Sequence, residues 1–165
     1  GIHIVDLVDK DLDTYRDFFR GADAIVHFGW VHCDNPKNQF RNEMCNVQMA
    51  YNVYQTAMEE NVRRVVMASS NHAADYYESL ILDGKMDLVT PDTQPLSRGY
   101  YGWGKETYEH LGVVFALGRQ NNRSLENVQI RIGGPRGTDL DRCDRGDLRR
   151  VRRARAVYIR KRDMA

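Results

Sequence analysis

No run of apolar residues in this sequence approaches the ~20 needed to cross a bilayer, and no signal peptide opens it. A membrane-spanning or exported protein is therefore not expected. Cysteine is scarce. Cys33, Cys45 and Cys143 have neither close pairing nor metal-type spacing, which argues against a disulfide framework and for free thiols in a reduced, cytoplasmic protein. Proline is scarce as well, with four in 165 residues, and no low-complexity linker divides the chain, so one domain is expected. Neither sign of charge is in excess: 24 basic residues against 23 acidic leave +1, which selects neither for nor against a polyanionic partner. At 42% hydrophobic and 28% charged residues, the chain has the composition and the length to bury a core.

What is present is alternation. Short β-rich apolar runs take turns with longer amphipathic stretches. "IHIVDL" reads as a strand, "DLDTYRDFFRG" as a short helix closed by Gly21, and "ADAIVHFG" as a buried strand ending in Gly29. From Asn38 to Asn61, Phe40, Met44, Val47, Tyr51, Tyr54 and Met58 recur at spacings of three and four, which predicts a helix with one apolar stripe. "VRRVVMASS" follows as a strand covered on both faces. A loop punctuated by Asp83-Gly84, Pro91 and Pro95 leads to a second long helix from about Tyr100 to Arg119, and "NVQIRIGG" is a further strand. This order predicts right-handed crossovers and an α/β fold: a Rossmann-like open parallel sheet flanked by helices. Such sheets bind ligands at the carboxyl ends of their strands, here residues 27–32, 68–72 and 131–134.

Beside one of those ends lies "PLSRGYYGWGKETYEHLG", with Tyr101 and Lys105 four positions apart. On a helix they share a face. A phenol of pKa ~10 is a poor base at neutral pH, and a neighbouring ammonium stabilises its phenolate. Such a pair can take the proton of a substrate hydroxyl while hydride leaves the same carbon. Taken alone the spacing also suits a solvated helix face. Upstream, Ser69, Ser70, Asn71 and His72 close a strand, where hydroxyls can hold a reacting oxygen or simply cap a turn. His27 reads as a buried strand histidine rather than a metal ligand with His32. Trp103 and Tyr108 read as packing residues, and His110 as a surface one.

The ordered set "ADAIVHFGW", "NVQMAYNVYQTAMEENVRRVVMASS" and "YYGWGK" resembles the extended short-chain dehydrogenase/reductase family, the NAD-dependent epimerase/dehydratase group, over about Gly1 to Gly134. "SSNH" and "RIGG" resemble the uronate dehydrogenases within it, which oxidise the anomeric carbon of a sugar acid to a lactone and pass hydride to NAD. The resemblance implies Tyr101 as catalytic base, Lys105 as its electrostatic partner and ribose ligand, and Ser70 as holder of the reacting oxygen. It places Asn71 and His72 in the substrate pocket, and Phe28, Gly29 and Trp30 along NAD (or NADP). Asp6 and Leu7 would approach the adenine, and Asn46 matches the family's structural asparagine near the nicotinamide. His32 and Gly134 stand where relatives have substrate-contacting serines, and Arg142 is a candidate clamp for a uronate carboxylate. A nucleotide-sugar epimerase or dehydratase, or a truncated non-catalytic relative, are the alternatives. Helices around residues 40–60 and 100–118 are those through which relatives pair, so a homodimer is implied.

Two features depart from the family. No G-x-x-G-x-x-G turn precedes "ADAIVHFG", so on the resemblance the sheet lacks its first βαβ unit and with it the phosphate-binding turn. The domain is expected to be an N-terminally incomplete NAD(P)-binding unit over 1–165, with 135–165 starting the substrate-binding part. The arginine-dense run from Arg142 to Arg162 is diluted by Asp144 and Asp147 and lacks aromatic interleaving. It reads as a solvated face or a rim that attracts a sugar acid rather than as a nucleic-acid surface.

Overall fold

The computed structural model describes residues 2–9, 11–32 and 35–133, together with the backbone of a strand at 159–161. Along the chain run α1 (Asp13–Arg16), β1 (Ala24–His27), α2 (Gln39–Glu59), β2 (Arg64–Ser70), α3 (Glu78–Leu82), α4 (Tyr100–Leu117), β3 (Glu126–Ile132) and β4 (Ile159–Lys161). The sheet order is β1-β2-β3-β4. β1 pairs parallel to β2 with His27 opposite Met67, and β2 pairs parallel to β3 with Ser70 opposite Ile132. β4 runs antiparallel to β3, Ile130 facing Ile159, so the sheet is parallel over three strands and not throughout. No helix among the described residues is long and apolar enough to cross a membrane.

The core lies where α1, α2 and α4 meet the sheet face bearing Val65 and Met67, with Tyr15, Phe19, Val53, Tyr54, Tyr108, Phe115 and Leu125. On the other face of β2, Val66 and Ala68 are half-buried, so the apolar continuity of this strand overstates its cover.

Four local expectations are corrected. Residues 2–6 form no strand, and Ile2 and Ile4 are 98% and 99% exposed. Apolar alternation makes a strand only beside a partner, and among the described residues β1 has one strand neighbour, β2. For the same reason β1 is not a buried strand: Val26 is exposed while His27 is buried.

On α2 the apolar stripe is the buried face only in part: Tyr54 and Met58 are buried and Val47 packs against the core. Phe40, Met44 and Tyr51 are largely exposed, whereas Glu43, Asn46, Ala50, Val53 and Ala57 are buried. Spacings of three and four are right, but the inward face carries small and hydrogen-bonded polar residues that an apolar count passes over. Residues 71–82, expected as loop, hold a 3-10 segment (Asn71–Tyr77) and α3. At the far end, α4 stops at Leu117 because Gly118 takes a left-handed turn (φ +67°), where a Cβ would collide with the Arg123 carbonyl.

Asn52 ties the N-terminal segment to α2. Its Nδ2 donates to the carbonyls of Leu7 and Asp9, each at 2.8 Å. Nearby, Arg16 pairs with Asp13, Glu59 and Glu60, joining α1 to the end of α2.

Candidate active site

The carboxyl ends of the three parallel strands open on one cleft of about 890 Å³, within the range of small-molecule sites. Phe28, Trp30 and His32 reach it from the loop after β1, Ser70, Asn71 and His72 from the end of β2, and Ile132 and Gly133 from β3. α4 contributes Tyr101 and Lys105, and α2 contributes Gln39 and Glu43.

Lys105 is 5% exposed. Its Nζ donates to the Ala68 carbonyl at 3.0 Å and lies 3.8 Å from the centroid of the Trp30 ring, 4.9 Å from that of Tyr108 and 5.7 Å from that of Tyr101. Burial pulls the ammonium down to about 8, while the charge of Glu43 works the other way. An aromatic cage and one carbonyl thus replace much of the water an ammonium prefers. The Tyr101 ring is held edge-on between Trp30, at 4.8 Å between centroids, and His72, at 5.4 Å.

His72 is itself oriented. Its Nδ1 lies 3.0 Å from Asp75 Oδ2, and Asp75 Oδ1 accepts from the Arg98 backbone N–H at 2.7 Å. This loop packs on α4 because Gly102 has no side chain: a Cβ there would collide with the His72 carbonyl and lie 2.5 Å from Ser97 Cβ. Gly102→Ala should therefore push residues 72 and 97 off α4, costing about 1–3 kcal/mol in a urea titration. The His72 ring resonances should also lose the ring-current shift that the Tyr101 ring gives them.

Ser70 Oγ accepts from the His72 N–H and donates to Asn71 Oδ1, both at 3.2 Å. It caps the 3-10 segment and faces the cleft at once. Ser69 points elsewhere, donating to Glu109 Oε1 at 2.7 Å. Glu109 takes both forks of Arg131, at 2.7 and 2.6 Å. This buried Ser69–Glu109–Arg131 set clamps α4 to the ends of β2 and β3 and was invisible in sequence, since nothing local marks a serine and an arginine 40 and 22 residues from Glu109 as its partners.

Asn46 is not in the cleft wall. It holds the loop that is, accepting from the Val31 N–H at 2.7 Å and donating to the Val31 carbonyl at 3.0 Å. Gly29 lies between the two aromatic residues of that loop, where a Cβ would press on the His27 ring and Met49 Sδ. Asp6 and Leu7 stand apart from the cleft: Asp6 Oδ1 accepts from the Val8 N–H, and Leu7 packs against the core. Gly134 and Arg142 lie outside the described residues, as do Cys33 and Cys143. Sequence reasoning also passed over Glu43, a buried acid on the inward face of α2.

His27 is buried with its Nε2 unpartnered. Burial first, and the charge of Lys105 second, push it down from its ordinary 6.5 to about 4. The unfolded chain takes up that proton near pH 6.5 and the folded chain near 4, so stability is fully present above 6.5 and lost as pH falls through this window. The loss should reach about 3 kcal/mol. Denaturation midpoints at pH 7 and pH 4.5 measure it, and His27→Phe should flatten the difference.

The ends of three parallel strands, with α4 beside them, thus gather Tyr101, Lys105 and Ser70 in one cleft. The chain belongs to the NAD dependent epimerase/dehydratase family, whose model matches residues 1–114. It is 31% identical over 132 residues to the uronate dehydrogenase of Pseudomonas syringae pv. tomato, covering 80% of this chain and 43% of that protein. It is also 31% identical over 142 residues to the L-arabinose 1-dehydrogenase (NAD(P)(+)) of Haloferax volcanii, covering 81% and 53%. Among solved structures, a short-chain dehydrogenase/reductase superfamily protein from Agrobacterium tumefaciens with bound NAD superposes with a TM-score of 0.60 at 28% identity, over 77% of this chain and 35% of that one. The chain spans about half the length, or less, of the curated relatives it matches.

Proposed function

We propose that this chain carries the proton-transfer half of an NAD-dependent oxidoreductase that converts the anomeric C–H and O–H of a sugar or sugar acid into a lactone carbonyl. The observation that supports this is the meeting of Tyr101, Lys105, Ser70, Asn71 and His72 in one cleft at the strand ends. The residues fit the nicotinamide end of the cofactor, because the cleft is roomy beside a buried ammonium and bordered by Phe28 and Trp30. NAD, or NADP, would supply the hydride acceptor when bound. Ser70 Oγ holds the substrate oxygen, the Lys105 charge beside the Tyr101 ring favours the Tyr101 phenolate, and that phenolate takes the proton of the substrate hydroxyl to become the neutral phenol. Asn71 and His72 orient the sugar hydroxyls, with His32 at the mouth. Arg142 and Gly134 complete the proposal from outside the described residues, Arg142 as the carboxylate clamp and the segment 135–165 as the start of the substrate part.

Pairing through α2 and α4 is part of the same reading. Phe40, Met44, Tyr51, Val114 and Leu117 on these helices leave apolar surface in water. The free thiol of Cys45 suits a reducing, cytoplasmic setting.

The burial of Lys105 under Trp30 favours a second reading, a non-catalytic relative in which the ammonium is retained only as a packed ion. Calorimetric titration of the folded 165-residue chain with NAD separates the two. Saturable binding, followed by NADH formation with glucuronate, galacturonate or arabinose, is the expected result. Absence of binding by a chain with native circular dichroism would overturn the oxidoreductase reading for this chain. Cofactor that survives purification, with turnover of a nucleotide sugar and no net reduction, would select an epimerase.

A further inference from the structure

Glu43 is 3% exposed and belongs to none of the roles above. It projects from α2 toward α4 at Gly104, where a Cβ would lie only 2.8 Å from Oε2. Asn46 Nδ2 donates to the same oxygen at 3.3 Å. Among the described residues, no cation lies in ion-pair contact with Glu43 and no carboxylate in ion-pair contact with Lys105. Both nevertheless line one cleft, on facing helices. A buried charge without an opposite one nearby is among the costliest features a fold can hold.

We infer that Glu43 is the counter-charge of Lys105, a positioning residue that keeps the ammonium protonated in its buried site, with the bare Gly104 leaving the space its carboxylate fills. The groups that face Lys105 are His27 from β1, Glu43 from α2, and Tyr101 and Tyr108 from α4. Of these, Glu43 is the one carboxylate. His27 is held neutral by burial, and burial pushes the Tyr108 phenol up, away from ionisation. Burial also pushes the Glu43 carboxyl up, while the Asn46 hydrogen bond and the Lys105 charge favour its ionised form. Each of the two charges therefore stabilises the other across the cleft.

The consequence for catalysis rests on the proposed role of Lys105 beside Tyr101, but the test does not. The 165-residue chain has five lysines, so labelling with 13Cε-lysine gives a spectrum in which Lys105 is assigned by its absence in Lys105→Met. Its midpoint should lie at about 8 in the native sequence and fall by about one unit in Glu43→Gln. Glu126→Gln, the same charge change at the opposite end of β3, should leave it in place. A Glu43→Gln midpoint equal to that of the native sequence overturns the inference. Should Glu43→Gln not fold, 13Cδ-glutamate labelling of the unaltered chain decides. The Glu43 resonance must show a step at the Lys105 midpoint that Lys105→Met removes, and a Glu43 resonance that ignores Lys105 also overturns it. Neither readout needs cofactor or substrate, so this inference and the oxidoreductase reading can fail separately.

Discussion

Replacing Glu109 by alanine is expected to lower the unfolding free energy of this chain by about 3–5 kcal/mol, a large share of the ~5–15 that holds a domain together. Glu109 is 3% exposed and Arg131 5%. The guanidinium sends two parallel hydrogen bonds to the carboxylate, and Ser69 adds a third. Removing the carboxylate leaves a buried cation with nothing opposite it, and removing the whole pair does not. Glu109→Leu combined with Arg131→Met should therefore recover most of the loss. Urea unfolding followed by circular dichroism measures both variants. A double variant no more stable than Glu109→Ala would mean that the pair contributes net attraction beyond avoiding an orphaned charge. The single variant should also loosen the cleft, because the clamp joins α4, which carries Tyr101 and Lys105, to the strand end that carries Ser70.

Tyr101→Phe is expected to leave the fold intact and to reduce turnover by about 10²–10⁴-fold, the usual worth of a positioned acid or base. The phenyl ring keeps its edge-on contacts with Trp30 and His72, so the variant deletes one oxygen and little else. Initial rates of NADH formation and a calorimetric NAD titration separate the outcomes. On the proposed mechanism the rate falls and the affinity stays. A variant that kept its rate would remove Tyr101 from the chemistry, and one that lost NAD affinity would make it a binding residue.

These two experiments probe what was legible in the sequence to very different degrees. Tyr101 and Lys105 stood out because helical periodicity alone puts them on one face, and because ordered motifs around them match a family. β2, β3, α2 and α4 were visible for a similar reason: short apolar runs and period-3.6 patterns are local, and a dozen residues suffice to show them. The end of α4, expected near Arg119, falls at Leu117, because Gly118 enters a left-handed turn that only glycine adopts cheaply.

What the linear order could not show is anything that depends on a distant partner. "IHIVDL" has strand composition, yet pairing is a property of two segments, and no described strand lies beside it. The face of α2 that turned inward was decided by what it met. Asn46 found the Val31 backbone, Asn52 the carbonyls of Leu7 and Asp9, and Glu43 the gap at Gly104. Buried polar groups are tolerated only where hydrogen bonds or opposite charges replace water, and those partners come from other elements. The sequence by itself determined the α/β class, the family, and the tyrosine–lysine pair, all of which rest on local period and ordered motifs. Tertiary structure alone decided which polar residues are inside, that Trp30 covers Lys105, and that Glu109 holds Arg131, because charges and rings meet through space at separations the sequence does not encode.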